Sequence, residues 1–60
     1  MEFYKVEGVT IDAKKLSTYT IGIENAIRAK KSWLNAQNII SARFFLVNEK
    51  EYRAWEASRN

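Results

Sequence analysis

Neither cysteine nor histidine occurs in the 60 residues, and that absence most constrains what the chain can fold into. Disulfide staples and the usual zinc clusters are excluded, so apolar packing alone must hold whatever forms. A chain this short supports one domain over residues 1–60, with one modest core. A hydrophobic fraction of 47 %, with two Trp, three Tyr and three Phe, suits that task. The same absence removes the thiol and imidazole on which many nucleophilic and general-base sites are built, and no Gly-rich phosphate loop is present. Carboxylates remain, but so small a chain seldom encloses a pocket that shifts their pKa. The expectation is a protein that binds rather than catalyses, without a cofactor.

The charge balance gives that binding a direction. The formal net charge is +3 and the sequence pI about 9.5, above the value of about 9 typical of nucleic-acid binders. Lys14, Lys15, Arg28, Lys30 and Lys31 concentrate positive charge in one stretch, with Asp12 and Glu24 nearby. The C-terminal part mixes Arg43, Lys50, Arg53 and Arg59 with Glu49, Glu51 and Glu56. No apolar run approaches the roughly 18 residues of a membrane span, and no cleavable leader opens the chain. A cytoplasmic protein with no membrane partner is expected.

Along the chain, Glu2 to Val6 alternates as a short strand, and Gly8 is read as ending it. Val9, Asp12, Ala13 and Leu16 recur at helical spacing, with Thr10 near the start. Ser17 and Thr18 then interrupt, since both prefer turns to helix interiors. A second helix is expected from Tyr19 to Lys30. Its inner stripe is Tyr19, Ile23, Ala26, Ile27 and Lys30, with Thr20, Ile21, Glu24, Asn25 and Arg28 outside. Ser32 to Ile40 reads either as strand and loop or as helix, and strand and loop is favoured. Ala42 to Val47, rich in aromatic and branched residues, reads as a strand needing a partner, either the Trp33 segment or the Phe3 strand. Asn48 caps a last helix, with Glu51 completing a capping-box pattern and Glu49 and Arg53 forming an i, i+4 pair. Tyr52 and Trp55 face inward, with Trp55 as the anchor.

The two expected helices meet the demands of a helix-turn-helix: Ala13 as small contact, Leu16 as apolar end, Ser17-Thr18 as turn, and Ile23 and Ala26 returning the contact. Over Gly8 to Lys31, the residues Gly8, Thr10, Ala13, Lys14, Leu16, Tyr19, Ile23, Ala26, Ile27 and Ala29 resemble phage repressors of the Cro type. The segment from Phe45 to Trp55, through Val47, Tyr52 and Trp55, instead resembles phage excisionases and related winged-helix proteins. These resemblances imply an α+β fold: a small helix-turn-helix domain with a β-hairpin wing and a C-terminal helix. They also imply a bacteriophage-type DNA-binding protein, either a repressor in transcription regulation or an excisionase-like architectural factor. Carried over by position, Thr20, Ile21, Glu24, Asn25 and Lys31 stand where such proteins contact bases. Thr10, Lys14 and Tyr19 fall near the phosphate backbone.

Within that reading Ile21 would touch a thymine methyl, and Glu24 would accept from cytosine N4 with Arg28 pairing it. Arg28, Lys30 and Lys31 would grip phosphates at the helix end. Double-stranded DNA is the expected partner, bound as a homodimer or as an array on repeated sites, because a monomer this small discriminates little. The alternative is a protein–protein interaction module, such as a phage-encoded inhibitor of a host protein, anchored by Tyr4, Ile21, Trp33 or Phe45. Gln37 and Asn38 read equally as a wing tip or as a polar loop.

Overall fold

A computed structural model describes residues 1–59 as an α+β arrangement of a three-stranded antiparallel sheet and two helices. In chain order these are β1 (Phe3–Thr10), β2 (Lys15–Ile21), α1 (Ile23–Leu34), β3 (Ile39–Val47) and α2 (Glu49–Ser58). The sheet order is β2-β1-β3, so the N-terminal strand is central and both of its neighbours are edges. β1 and β2 form a hairpin, Phe3 opposite Ile21 through Val9 opposite Lys15. The chain then crosses the sheet as α1 and returns as β3, antiparallel to β1 from Val47 opposite Phe3 to Ser41 opposite Val9. A bulge at Ile40 shifts the last pair to Thr10 and Ile39.

The stretch from Gly8 to Lys31 is therefore strand, turn, strand and helix, not the two helices expected of a helix-turn-helix. The run Ser17-Thr18-Tyr19-Thr20-Ile21 is rich in β-branched and aromatic residues, which lose χ1 freedom in a helix and pack well on a pleated surface. The helical spacing of Val9, Asp12, Ala13 and Leu16 coincides with the hairpin connection. Ala13 occupies the left-handed region there, at φ 66°. The Thr10 hydroxyl bonds the Asp12 carboxylate and accepts from the Lys14 backbone N–H at 3.0 Å, tying the turn together.

The expected inner helix stripe moves as well. The helix starts at Ile23, after Gly22 has turned the chain at φ 88° with its N–H donating to the Glu2 carbonyl at 2.8 Å. Ala26 is its buried residue, while Ile23 and Ile27 stay substantially exposed. The Ser32–Ile40 stretch divides: α1 runs on to Leu34, a turn follows, and β3 begins at Ile39. The partner of β3 is the Phe3 strand, and the only two-strand hairpin among the described residues joins β1 to β2 rather than following the helices.

Alternation along β1 assigns the two faces of the sheet. Tyr4, Val6, Gly8 and Thr10 face α1, together with Phe44 of β3, whose ring meets Tyr4 edge-on at 5.7 Å between centroids. Gly8 does not end the strand. A Cβ placed there would lie 2.7 Å from the Trp33 ring, so glycine marks where helix and sheet approach closest. Phe3, Lys5, Glu7 and Val9 point the other way, and α2 covers only the Phe3 end of that face.

On α2, Asn48 caps the helix as expected, its side chain accepting from the Glu51 N–H at 2.8 Å. The Glu51 carboxylate does not close the box; it accepts from the Tyr19 hydroxyl at 2.6 Å. Tyr52 rather than Trp55 is the buried anchor, lying 4.9 Å from Phe3 between ring centroids. Trp55 is half-buried against Tyr19, with the Arg59 guanidinium over its ring. No helix of the described residues is long and apolar enough to cross a membrane.

Candidate functional site

The face of the sheet opposite α1 is where the architecture concentrates unspent polar chemistry. Because side chains alternate, each strand contributes every second residue to it. Lys5, Glu7 and Val9 come from β1, Lys15 and Ser17 from β2, and Ser41 and Arg43 from β3. They line an open groove of about 460 Å³, beginning where α2 stops and running toward the hairpin turn. In register, Glu7 lies between Ser17 and Arg43, and Val9 between Lys15 and Ser41.

Glu7 organises the groove. Its Oε1 accepts from Arg43 Nε at 3.1 Å and Nη2 at 2.8 Å, and its Oε2 lies 3.4 Å from Lys5 Nζ. The Arg43 guanidinium holds the Glu7 carboxyl below its ordinary value, with Lys5 adding to the effect against a partial loss of solvation. Aromatic rings flank the cations: Lys5 Nζ sits 5.7 Å from the Tyr19 ring centre, and the Arg43 guanidinium 5.4 Å from that of Phe45. Tyr19 is itself fixed by Glu51, whose hydrogen bond raises the phenol above its usual pKa, with burial second. Lys15 makes no ion pair among the described residues and extends from the edge strand.

The residues expected to meet DNA are dispersed by this fold. Thr10 is buried and serves the hairpin turn. Thr20 lies on the α1 side of β2, and its buried hydroxyl lacks a hydrogen-bond partner. Ile21 ends β2, and its carbonyl accepts from the Asn25 side chain at 2.8 Å. Glu24, Asn25, Arg28 and Lys31 are exposed on α1, on the side of the molecule away from the groove. Lys30 lies over the Phe44 ring at 5.9 Å. Lys14, on the hairpin turn, lies 3.8 Å from Asp12. Of the ten, only Tyr19 and Ile21 lie on the groove side of the sheet, opposite Lys5 and Phe3 at the end that α2 covers.

Charge clustering and helical spacing do not single out Lys5, Glu7, Ser17, Ser41 and Arg43, which come from three segments far apart along the chain. Their signal is the alternation of EFYKVEGVT, extended past Gly8, which places Lys5 and Glu7 on one face of a strand. The groove offers three cations, one carboxylate and two hydroxyls on a rigid sheet. It holds no cluster of metal-ligating side chains among the described residues. Such a surface has the chemistry to accept anions and hydrogen-bonding edges. No family model matches the chain, and neither a curated protein nor a solved structure matches it.

Proposed function

We propose that the protein binds duplex DNA without chemistry, through the open face of its sheet rather than through a recognition helix. The observation that carries this reading is the convergence of Lys5, Lys15 and Arg43 on one groove flanked by Ser17 and Ser41. Cations supply the sequence-independent attraction to phosphates, while hydroxyls and the Arg43 fork are suited to base edges. The dimensions agree. Two neighbouring strands about 4.8 Å apart form a ribbon of the kind that a major groove about 12 Å wide admits. The positive charge of the whole chain supports association with a polyanion. A small binder of this kind serves as a repressor or as an architectural factor on DNA.

The test is fluorescence anisotropy of a labelled mixed-sequence duplex across a salt series. With Glu7 neutralising one of the three cations, a net of two phosphate contacts predicts a slope of log K against log salt of about −1.8. Lys15→Ala and Arg43→Ala each flatten it by roughly one unit, while Arg28→Ala on the far side leaves it unchanged. A loss confined to Arg28→Ala puts the DNA on α1 and overturns the proposal. Absence of binding at low salt, or tighter binding to single strands than to duplex, does so as well.

A further inference from the structure

One side of the molecule is apolar without being covered. β3 is an edge of the sheet, and its outer backbone groups face away from β1. Leu46 is 59 % exposed on this strand and Ile40, at the bulge, 63 %. The same flank of α1 carries Ile23, Ile27 and Leu34, all substantially exposed. Their spacing of four and seven residues makes them one stripe, shared with Lys30. Lys30 reaching over Phe44 shows that this stripe lies on the β3 side of the helix.

The opposite edge is different. β2 presents Lys15, Ser17 and Thr18 with one exposed large apolar residue, Leu16, and a lysine with small polar residues is how edges are kept from pairing. Within β3 the single charged residue is Arg43, and it is turned to Glu7.

We infer that this flank is the contact with a second copy of the same chain: β3 pairs antiparallel with β3 of the partner, and the two α1 stripes pack together on one face of a continuous six-stranded sheet. Three features select a second copy over another occupant. The first is charge. Glu24 and Lys31 stand about two turns apart along α1, so an antiparallel two-fold brings each Glu24 toward the partner's Lys31. Self-complementarity of that kind is what an isologous contact requires. The second is area. Ile23, Ile27, Leu34, Ile40 and Leu46 leave roughly 500 Å² of apolar surface per copy. Two copies reach the ~1,000 Å² of a specific interface before the strand backbones are counted. The third is the core itself. Fully buried side chains are few in this 60-residue chain, and chains this small commonly gain stability by association. The bulge at Ile40 confines strand pairing to residues 41–47.

This inference does not rest on DNA binding and is tested without DNA. Sedimentation equilibrium of the intact chain, from about 5 to 500 µM, is expected to show a species of twice 7.0 kDa. Leu46→Glu and Ile27→Glu each replace an exposed residue, and both are expected to give folded monomers by circular dichroism. Glu24→Lys and Lys31→Glu each weaken the dimer, and the double exchange restores it, an outcome a merely structural role would not produce. The inference is overturned by a monomer at every concentration, which leaves the flank to a different protein. It is equally overturned by a larger assembly, by a dimer that survives both glutamate variants, or by a double exchange that fails to restore association.

Discussion

Glu7→Gln separates an electrostatic account of the groove from a structural one. The side chain keeps its size and an oxygen to accept from Arg43, but the charge between Lys5 and Arg43 disappears. Three cations and one carboxylate give the groove a formal charge of +2; with Gln it is +3. The ion pair is solvent-exposed on the arginine side, with 74 % of the Arg43 side chain accessible, so its loss is screened and costs little stability. Release of one cation to a phosphate steepens the salt slope by about 0.9. Relative to 1 M salt, that corresponds to roughly eightfold tighter binding at about 0.1 M. The assay is the same anisotropy titration, with circular dichroism confirming the fold. An unchanged affinity refutes the idea that Glu7 holds cations back from phosphate. A reduced affinity refutes it more sharply, because Glu7 would then act by aiming Arg43.

Four further outcomes follow from the packing. Because Glu7 is held below its ordinary carboxyl range, its contribution to stability is fully present above that range. It is lost as pH falls through the depressed value, so urea midpoints of wild type and Glu7→Gln converge in acid and separate toward neutrality. Gly8→Ala forces a methyl into the Trp33 ring and costs about 1–3 kcal/mol by chemical denaturation; pairing it with Trp33→Leu recovers part of the loss. Ala13→Gly relieves the left-handed turn residue and is expected to stabilise by up to about 1 kcal/mol; a lower melting midpoint contradicts it. Tyr52→Ala removes the side chain that joins α2 to Phe3 and costs about 3 kcal/mol or more, while Trp55→Ala costs less, an order that reverses if Trp55 is the true anchor.

Folding of the groove brings together residues whose partnership is invisible along the chain. Glu7 and Arg43 are 36 positions apart, and Tyr19 and Glu51 are 32 apart. Their meeting depends on β3 and α2 returning to the N-terminal hairpin. The periodicity of Val9, Asp12, Ala13 and Leu16 fits a helix, yet β1 needs two partners for its backbone groups, and the run to Ile21 supplies one of them. Local pattern and long-range pairing compete there, and pairing wins.

What the sequence by itself determined is local or compositional. Asn48 begins α2 because its side chain reaches a backbone N–H three residues on. The run from Ala42 to Val47 is a strand because aromatic and branched side chains suit a pleat. The lack of cysteine and histidine leaves apolar packing as the source of stability. Only the tertiary structure decided that Gly8 makes room for a tryptophan, that Gly8 to Lys31 contains a hairpin, and that Lys5, Lys15 and Arg43, distant in sequence, share one face of a sheet. The reason is physical: a cap is satisfied within one turn, whereas the conformation of a strand depends on backbone partners supplied by distant segments.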